Sequence, residues 1–307
     1  MWSCFTGFLL VFIAGFFWIG IGVAVSKCSA RGWNYNIVQG LTYLGSAMIC
    51  AVILAGKSVS TGSSGISGFG FLMCSLGGLA NFYNYVITAK AMQRGPNGLV
   101  WGIMQSGLVG TFLLGVIFFG EKPAPLRLAG LFIIICGVLV MGLAKNNKTS
   151  SEFLGGTSKN WVLFSLGAML LSMVTQCCNI LPSYFPEMGE NGAVSRTLGT
   201  SFGGMIGFVL TTLPGMIRSK NFGGGGEWIT AGILIITNTS ASLFFFYRGL
   251  DLLTQSSCGG LGYPVAIGVC VIGFSLYSLL ALKEKFSRLS LTGLTAVCLG
   301  IIVISLK

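Results

Sequence analysis

In a chain built largely of apolar runs, the polar side chains kept inside those runs are the ones with chemistry to do, and here most are amides and aromatic rings. Asn81, Asn84, Tyr85 and Thr88 fall at i, i+3, i+4 and i+7, one face of a helix. Trp101 and Gln105 sit one turn apart in the next run, and Gln176 and Asn179 share a face in a later one. Asn238, Ser242 and Tyr247 follow, and Tyr263 stands at a break made by Pro264. An uncompensated polar group in lipid is costly, so these side chains should face a bundle interior or a wet cavity. Amides hydrogen-bond and rings stack, which suits the holding of a small polar solute. The blander reading is that each amide ties two helices together; the cavity accounts better for the whole set.

Charged groups offer fewer candidates. Of seven acidic residues, Glu121, Glu152, Glu187, Glu190, Glu227 and Glu284 lie in or beside loops. Asp251 stands three residues beyond Arg248, where the two are expected to form an anchoring ion pair. The alternatives are that Asp251 releases a proton during a cycle, or that Arg248 receives an anionic group of the solute. Arg196, just inside the seventh apolar run, would either snorkel to the interface or draw a carboxylate or phosphate toward the cavity.

The ten cysteines mostly occupy apolar runs (Cys50, Cys74, Cys136, Cys270, Cys298), with no CxxC and no histidine anywhere. They read as small packing residues, and no metal or cofactor is expected. No GxxxxGK[ST] is present to bind ATP, so energy would come from a gradient or a partner chain. An enzyme acting on a lipid-linked substrate would need clustered carboxylates or histidines, and the acids here are dispersed. A membrane interaction protein without transport is the remaining class.

Membrane spans must position these residues. Only 8% of the 307 residues are charged, and the mean hydropathy is +0.85, which marks an integral, multi-pass protein of a cell's inner or plasma membrane. The net charge of +11 is scattered singly between apolar runs, so it flanks spans and forms no nucleic-acid patch. The run from Phe5 to Val25 is long for a signal peptide and no Lys or Arg precedes it, so it is read as the first span. Ten helices are predicted, at about 5–25, 36–55, 68–90, 97–118, 126–144, 161–181, 193–217, 228–250, 258–281 and 289–306. Grouping alternate loops places twelve basic residues on one side against six on the other, which predicts both termini outside.

The chain repeats itself. At an offset of 163, Gly110 meets Gly273, Glu121 meets Glu284, Lys122 meets Lys285, Leu126 meets Leu289, Gly130 meets Gly293 and Gly137 meets Gly300. At 162, Tyr85 meets Tyr247, Gln93 meets Gln255 and Gly98 meets Gly260. Such a collinear series predicts an internal duplication: residues 1–145, a linker at 146–159, and residues 160–307. Five helices is an odd number, so the second copy would enter the membrane from the opposite side, giving two inverted five-helix repeats. On the seventh helix Gly199, Gly203 and Gly207 give small-xxx-small spacing for close helix packing.

Five plus five spans, with Glu and Lys before the last helix of each half and a Gly-spaced helix behind (Phe119 to Gly137, Leu282 to Gly300), resemble the drug/metabolite transporter superfamily and its EamA-type repeat. The resemblance implies a secondary transporter, a permease in which a central cavity opens alternately to either side for a sugar, amino acid or nucleoside-like solute. The stretch Gly192 to Gly203 looks like a segment of the glucose/ribose and rhamnose uptake branch, which would imply a sugar. Small multidrug exporters of the superfamily use a carboxylate on the first helix; no acid precedes Glu121 here, so that proton exchange is not expected.

Overall fold

Within lipid a backbone amide finds no water, so an apolar chain of this kind closes its hydrogen bonds inside helices. The computed structural model describes residues 2–61, 68–120, 125–143, 160–185, 192–256, 259–284 and 286–305. Among these the chain forms α1 (Trp2–Arg31), α2 (Tyr35–Thr61), α3 (Gly68–Met92), α4 (Asn97–Gln105), α5 (Leu108–Phe118), α6 (Pro125–Leu143) and α7 (Asn160–Tyr184). Then come α8 (Ala193–Thr211), α9 (Leu213–Ser219), α10 (Gly225–Ser240), α11 (Tyr247–Gln255), α12 (Gly262–Leu280) and α13 (Arg288–Ser305). Glu121, Lys122, Lys285 and the linker 146–159 lie outside the described residues.

Six helical stretches among these are long and apolar enough to cross a membrane: Cys4–Arg31, Tyr35–Gly56, Asn97–Phe118, Asn160–Tyr184, Gly225–Gln255 and Gly259–Leu280. The pair α8 and α9, bent by 44°, makes a seventh if taken as one span. Against the ten expected, α3, α6 and α13 fall short. The 25 residues of α3 reach about 37 Å at 1.5 Å per residue, but Asn81 and Asn84 dilute its apolar character. The apolar parts of α6 and α13, Pro125–Val140 and Arg288–Val303, are simply shorter.

Three predicted helices are interrupted. The fourth breaks at Ser106 and Gly107, between α4 and α5. The sequence matches change offset from 162 to 163 between Gly98 and Gly110, and the break lies within that interval. The seventh bends at Thr212, just before Pro214, whose ring cannot continue an α-helical ladder. The eighth carries a π-helical turn at Ala241–Phe246, joining α10 to α11, a widening often found at functional sites. The predicted loop from Arg218 to Glu227 is shorter than expected, since α9 reaches Ser219 and α10 begins at Gly225.

Helix α3 packs on α7 and α8, α1 on α11 and α12, α2 on α8 and α10, and α6 on α13. The small-residue face of α8 meets α3: a β-carbon on Gly199 would stand 2.7 Å from the Phe71 carbonyl oxygen, and one on Gly203 would overlap that of Ser75. At one end of the bundle Glu284 accepts hydrogen bonds from the Asn97 and Gly98 backbone amides at 2.8 and 3.1 Å, from Asn97 Nδ2, and from the Ser278 hydroxyl. It caps the free N–H groups that open α4. At the same end Glu227 accepts from the Gly224 amide, capping α10, and from the Asn34 amide, which fixes the turn between α1 and α2. At the opposite end Phe119 stacks on Tyr184 at 4.0 Å, and Phe69 meets Phe185 at 5.6 Å.

Candidate functional site: a cavity between the helices

Helices α1, α2, α3, α4, α7, α8, α10, α11 and α12, with the π turn, enclose a cavity of about 110 Å³. Eleven of the residues singled out from sequence line it: Asn81, Asn84, Tyr85, Trp101, Gln105, Gln176, Asn179, Asn238, Ser242, Tyr247 and Tyr263, whereas Thr88 does not. Among the described residues, none of the lining side chains is charged. An apolar cavity of roughly 150 Å³ holds benzene, so a larger solute requires the walls to part.

Two of the amides have only weak partners. Asn84 Nδ2 faces the Met104 sulfur at 3.6 Å, and Gln105 Nε2 faces the Cys270 sulfur at 3.7 Å. Sulfur is a poor acceptor, so the donor capacity of both remains largely unspent. Gln176 donates to the Ser172 hydroxyl at 2.8 Å and leaves its buried Oε1 without a partner. An unsatisfied buried acceptor costs about 1–3 kcal/mol, which a bound hydroxyl would relieve.

The sequence reading missed the contribution of α2. Tyr35, Gln39, Thr42 and Tyr43 all line the cavity. The Tyr43 hydroxyl accepts from Gln39 Nε2 and from Asn81 Nδ2, each at 3.1 Å. Their i, i+4, i+7, i+8 spacing is the same helical signal that marked α3 and would have found them. Trp18 and Thr200 were missed as well. The rings of the lining form two clusters: Tyr85 lies between Tyr35 at 6.2 Å and Trp101 at 6.3 Å, and Trp18 between Phe246 at 4.5 Å and Tyr263 at 6.5 Å.

The expected pairing of Asp251 with Arg248 does not occur. Asp251 Oδ1 instead accepts from Arg196 Nη2 at 2.8 Å and from Ser183 Oγ at 3.1 Å, while Arg248 is exposed. Arg196 neither snorkels nor enters the cavity; it is 2% exposed, sits 5.2 Å from the Tyr247 ring centre, and donates through Nη1 to Ser183. A buried cation needs a partner from another helix more than a neighbour on the surface does, because breaking a buried pair costs about 3–5 kcal/mol.

Residues 5–143 match the model of the EamA-like transporter family. The match covers just under half of the 307 residues, so the likeness to this transporter family rests on the first part of the chain. The chain is an integral, multi-pass membrane protein, and members of the EamA-like family are transporters. A crystal structure of another protein shares the fold, with a TM-score of 0.62 at 16% identity over 97% of this chain and 95% of that one. No curated protein matches the chain by sequence.

Proposed function

We propose that this EamA-like chain is a secondary transporter that moves a small uncharged solute by exposing its cavity alternately to the two sides of the membrane. Ten crossings form two inverted repeats, residues 1–145 and 160–307, with 146–159 between them. The packing supports this inversion, since exchanging the halves maps its contacts onto one another. The contacts of α3 with α7 and α8 correspond to those of α10 and α11 with α1 and α2, and α1 with α12 corresponds to α7 with α4 and α5. Equivalent positions also share the cavity, as Tyr85 and Tyr247 do, and as Trp101 and Tyr263 do.

The observation that carries the solute class is how the two halves differ at equivalent places. At an offset of 162, Asn84 corresponds to Phe246 and Gln105 to Ile267. All four residues line the cavity, and both pairs set an amide against an apolar or aromatic side chain, while Gln176 and Asn179 add two further amides and Trp18 and Ile21 a ring and an aliphatic group. Four of the amides belong to α3, α4 and α7, which pack together, and Trp18, Ile21, Phe246 and Ile267 to α1, α12 and the π turn. Hydrogen-bonding and stacking groups are thus both within reach of one solute. That arrangement suits an uncharged solute with a hydroxyl-bearing edge and an apolar face, as a sugar ring has, and gives a carboxylate or an ammonium no counter-charge.

Uptake into proteoliposomes tests this directly, with separate radiolabelled pools of aldopentoses and aldohexoses, nucleosides, zwitterionic amino acids, and organic anions. Saturable uptake of a neutral hydroxylated ring above protein-free liposomes is expected. Flux confined to the charged pools would overturn the solute class, and no flux in any pool would overturn the transport reading.

A further inference from the structure

We propose that Gln39 and Gln176 make the cavity select its solute by hydrogen-bond donors. A carried ring must present O–H or N–H groups to their two amide oxygens, and a ring whose polar groups only accept is refused. The rule rests on the cavity being the solute site, and it divides the class of neutral solutes further.

Gln39, on α2, is 4% exposed, and its orientation is fixed by what its nitrogen meets. Nε2 donates to the Tyr43 hydroxyl at 3.1 Å and to the Asn81 backbone carbonyl at 3.4 Å. A carbonyl can only accept, so the amide cannot be turned over. The atom left without a partner among the described residues is therefore Oε1. Gln176, on α7, is equally buried and donates through Nε2 to Ser172 on its own helix. That bond ties no two helices together, and Gln176 Oε1 is also without a partner among the described residues. Both residues line the cavity. A buried acceptor that has lost water and gained no donor is unfavourable, and a donor carried in on the solute restores the balance.

Neighbouring hydroxyls add to the same polarity. Thr42 on α2 and Thr175 on α7 line the cavity and give their protons to the carbonyls of Val38 and Leu171 at 2.8 and 2.9 Å. With its proton spent, a hydroxyl oxygen has only lone pairs to offer. The amide donors held by nothing better than sulfur, on Asn84 and Gln105, stand on α3 and α4 instead. A solute hydroxyl meets both demands, since it donates toward α2 or α7 and accepts from α3 or α4. An ether oxygen, a fluorine or an alkylated nitrogen meets only the second. The chemistry required is a neutral O–H or N–H donor, from a ring hydroxyl or from a heterocycle.

The test uses the full-length protein in detergent, with two readouts. Without solute, Gln176→Met keeps the length of the side chain and removes the stranded acceptor, so it should melt at or above the wild type. Melting below the wild type would mean that the amide holds the fold, and overturns the proposal. Binding is then followed through the fluorescence of the tryptophans, two of which, Trp18 and Trp101, line the cavity. The probes are aldopentoses and aldohexoses with their monodeoxy and monofluorodeoxy analogues, and uridine with its N3-methyl and monodeoxy analogues. Fluorine is close to a hydroxyl in size but cannot donate. At the positions that donate, the fluoro analogue should lose about tenfold in affinity, as much as the deoxy analogue does. Gln39→Met should abolish one such loss and Gln176→Met another. Losses in the fluoro series identify ring hydroxyls as the donors, and a loss on N3-methylation identifies the heterocycle. Fluoro and N-methyl analogues that bind like their parents, losses that persist in both variants, or no ring bound by the wild type would each overturn the rule. Uptake that carries parent and analogue equally defeats the rule and leaves the transport reading standing, whereas donor-dependent binding without uptake does the reverse.

Discussion

The carbonyl oxygen of Gly293 lies 2.8 Å from the point where a β-carbon on Gly137 would stand. The counterpart contact, between a β-carbon on Gly300 and the Gly130 carbonyl oxygen, is also 2.8 Å. Gly137 and Gly300 are repeat equivalents, as are Gly130 and Gly293. Reciprocal contact of this kind is what the proposed two-fold relation between the halves predicts. The glycines matched at an offset of 163 in the sequence are thus the ones through which α6 and α13 approach each other.

Asn84 and Gln105 hold donor capacity that only sulfur atoms now use. Replacing either with alanine should weaken apparent solute affinity several-fold to tenfold, equivalent to about 1 kcal/mol for one hydrogen bond. Membrane insertion should be unchanged. Initial uptake rates against concentration in proteoliposomes would show this, and unaltered uptake in both variants would remove the amide wall from the site.

Gly203→Ala should destabilise the protein, because its β-carbon would overlap the Ser75 carbonyl and push α8 off α3. Rigid backbone cannot yield as a flexible side chain does, so a cost of about 1–3 kcal/mol is expected. Gly167→Ala, which meets nothing within 4 Å, is the control. Thermal unfolding in detergent should place Gly203→Ala below the wild type and leave the control unmoved.

Glu284→Ala should lower stability by about 1–2 kcal/mol, the usual scale for losing a helix cap. It strips the acceptor from the Asn97 and Gly98 amides at the start of α4. Lys283→Ala, whose side chain makes no part of that cap, should melt like the wild type. Equal melting of the two variants would show that the cap contributes nothing.

The twelve-to-six division of basic residues predicts that Ser219, at the exposed end of α9, faces the cytoplasm. A Ser219→Cys variant should react with a membrane-impermeant maleimide in inside-out vesicles and not in intact cells. The native cysteines among the described residues are buried or half-buried, so the background is low. Labelling of intact cells would reverse the orientation.

Much of the cavity was legible in the sequence because an amide inside an apolar run is conspicuous, and helical spacing says which amides share a face. Asn81, Asn84 and Tyr85 were found that way. Thr200 and Trp18 escaped because hydroxyls can satisfy themselves locally, as Thr200 does on the Arg196 carbonyl, and because a tryptophan in a span looks like packing. The partner of Asp251 was misread for a different reason. Arg248 is three positions away, and Arg196 is 55 positions away on another helix; nothing in local spacing says which is buried. The α4–α5 break falls within the one-residue change of offset in the sequence matches, whereas no comparable trace in the sequence pointed to the π turn.

The lining of the cavity is uneven. Amides from α3, α4 and α7 share it with rings and aliphatic groups from α1, α12 and the π turn, and the Gln39–Tyr43–Asn81 network spans α2 and α3. A compartment lined so unevenly has a handedness. A solute and its mirror image cannot both present the same edge to the amides and the same face to the rings, so discrimination between enantiomers follows from this uneven lining.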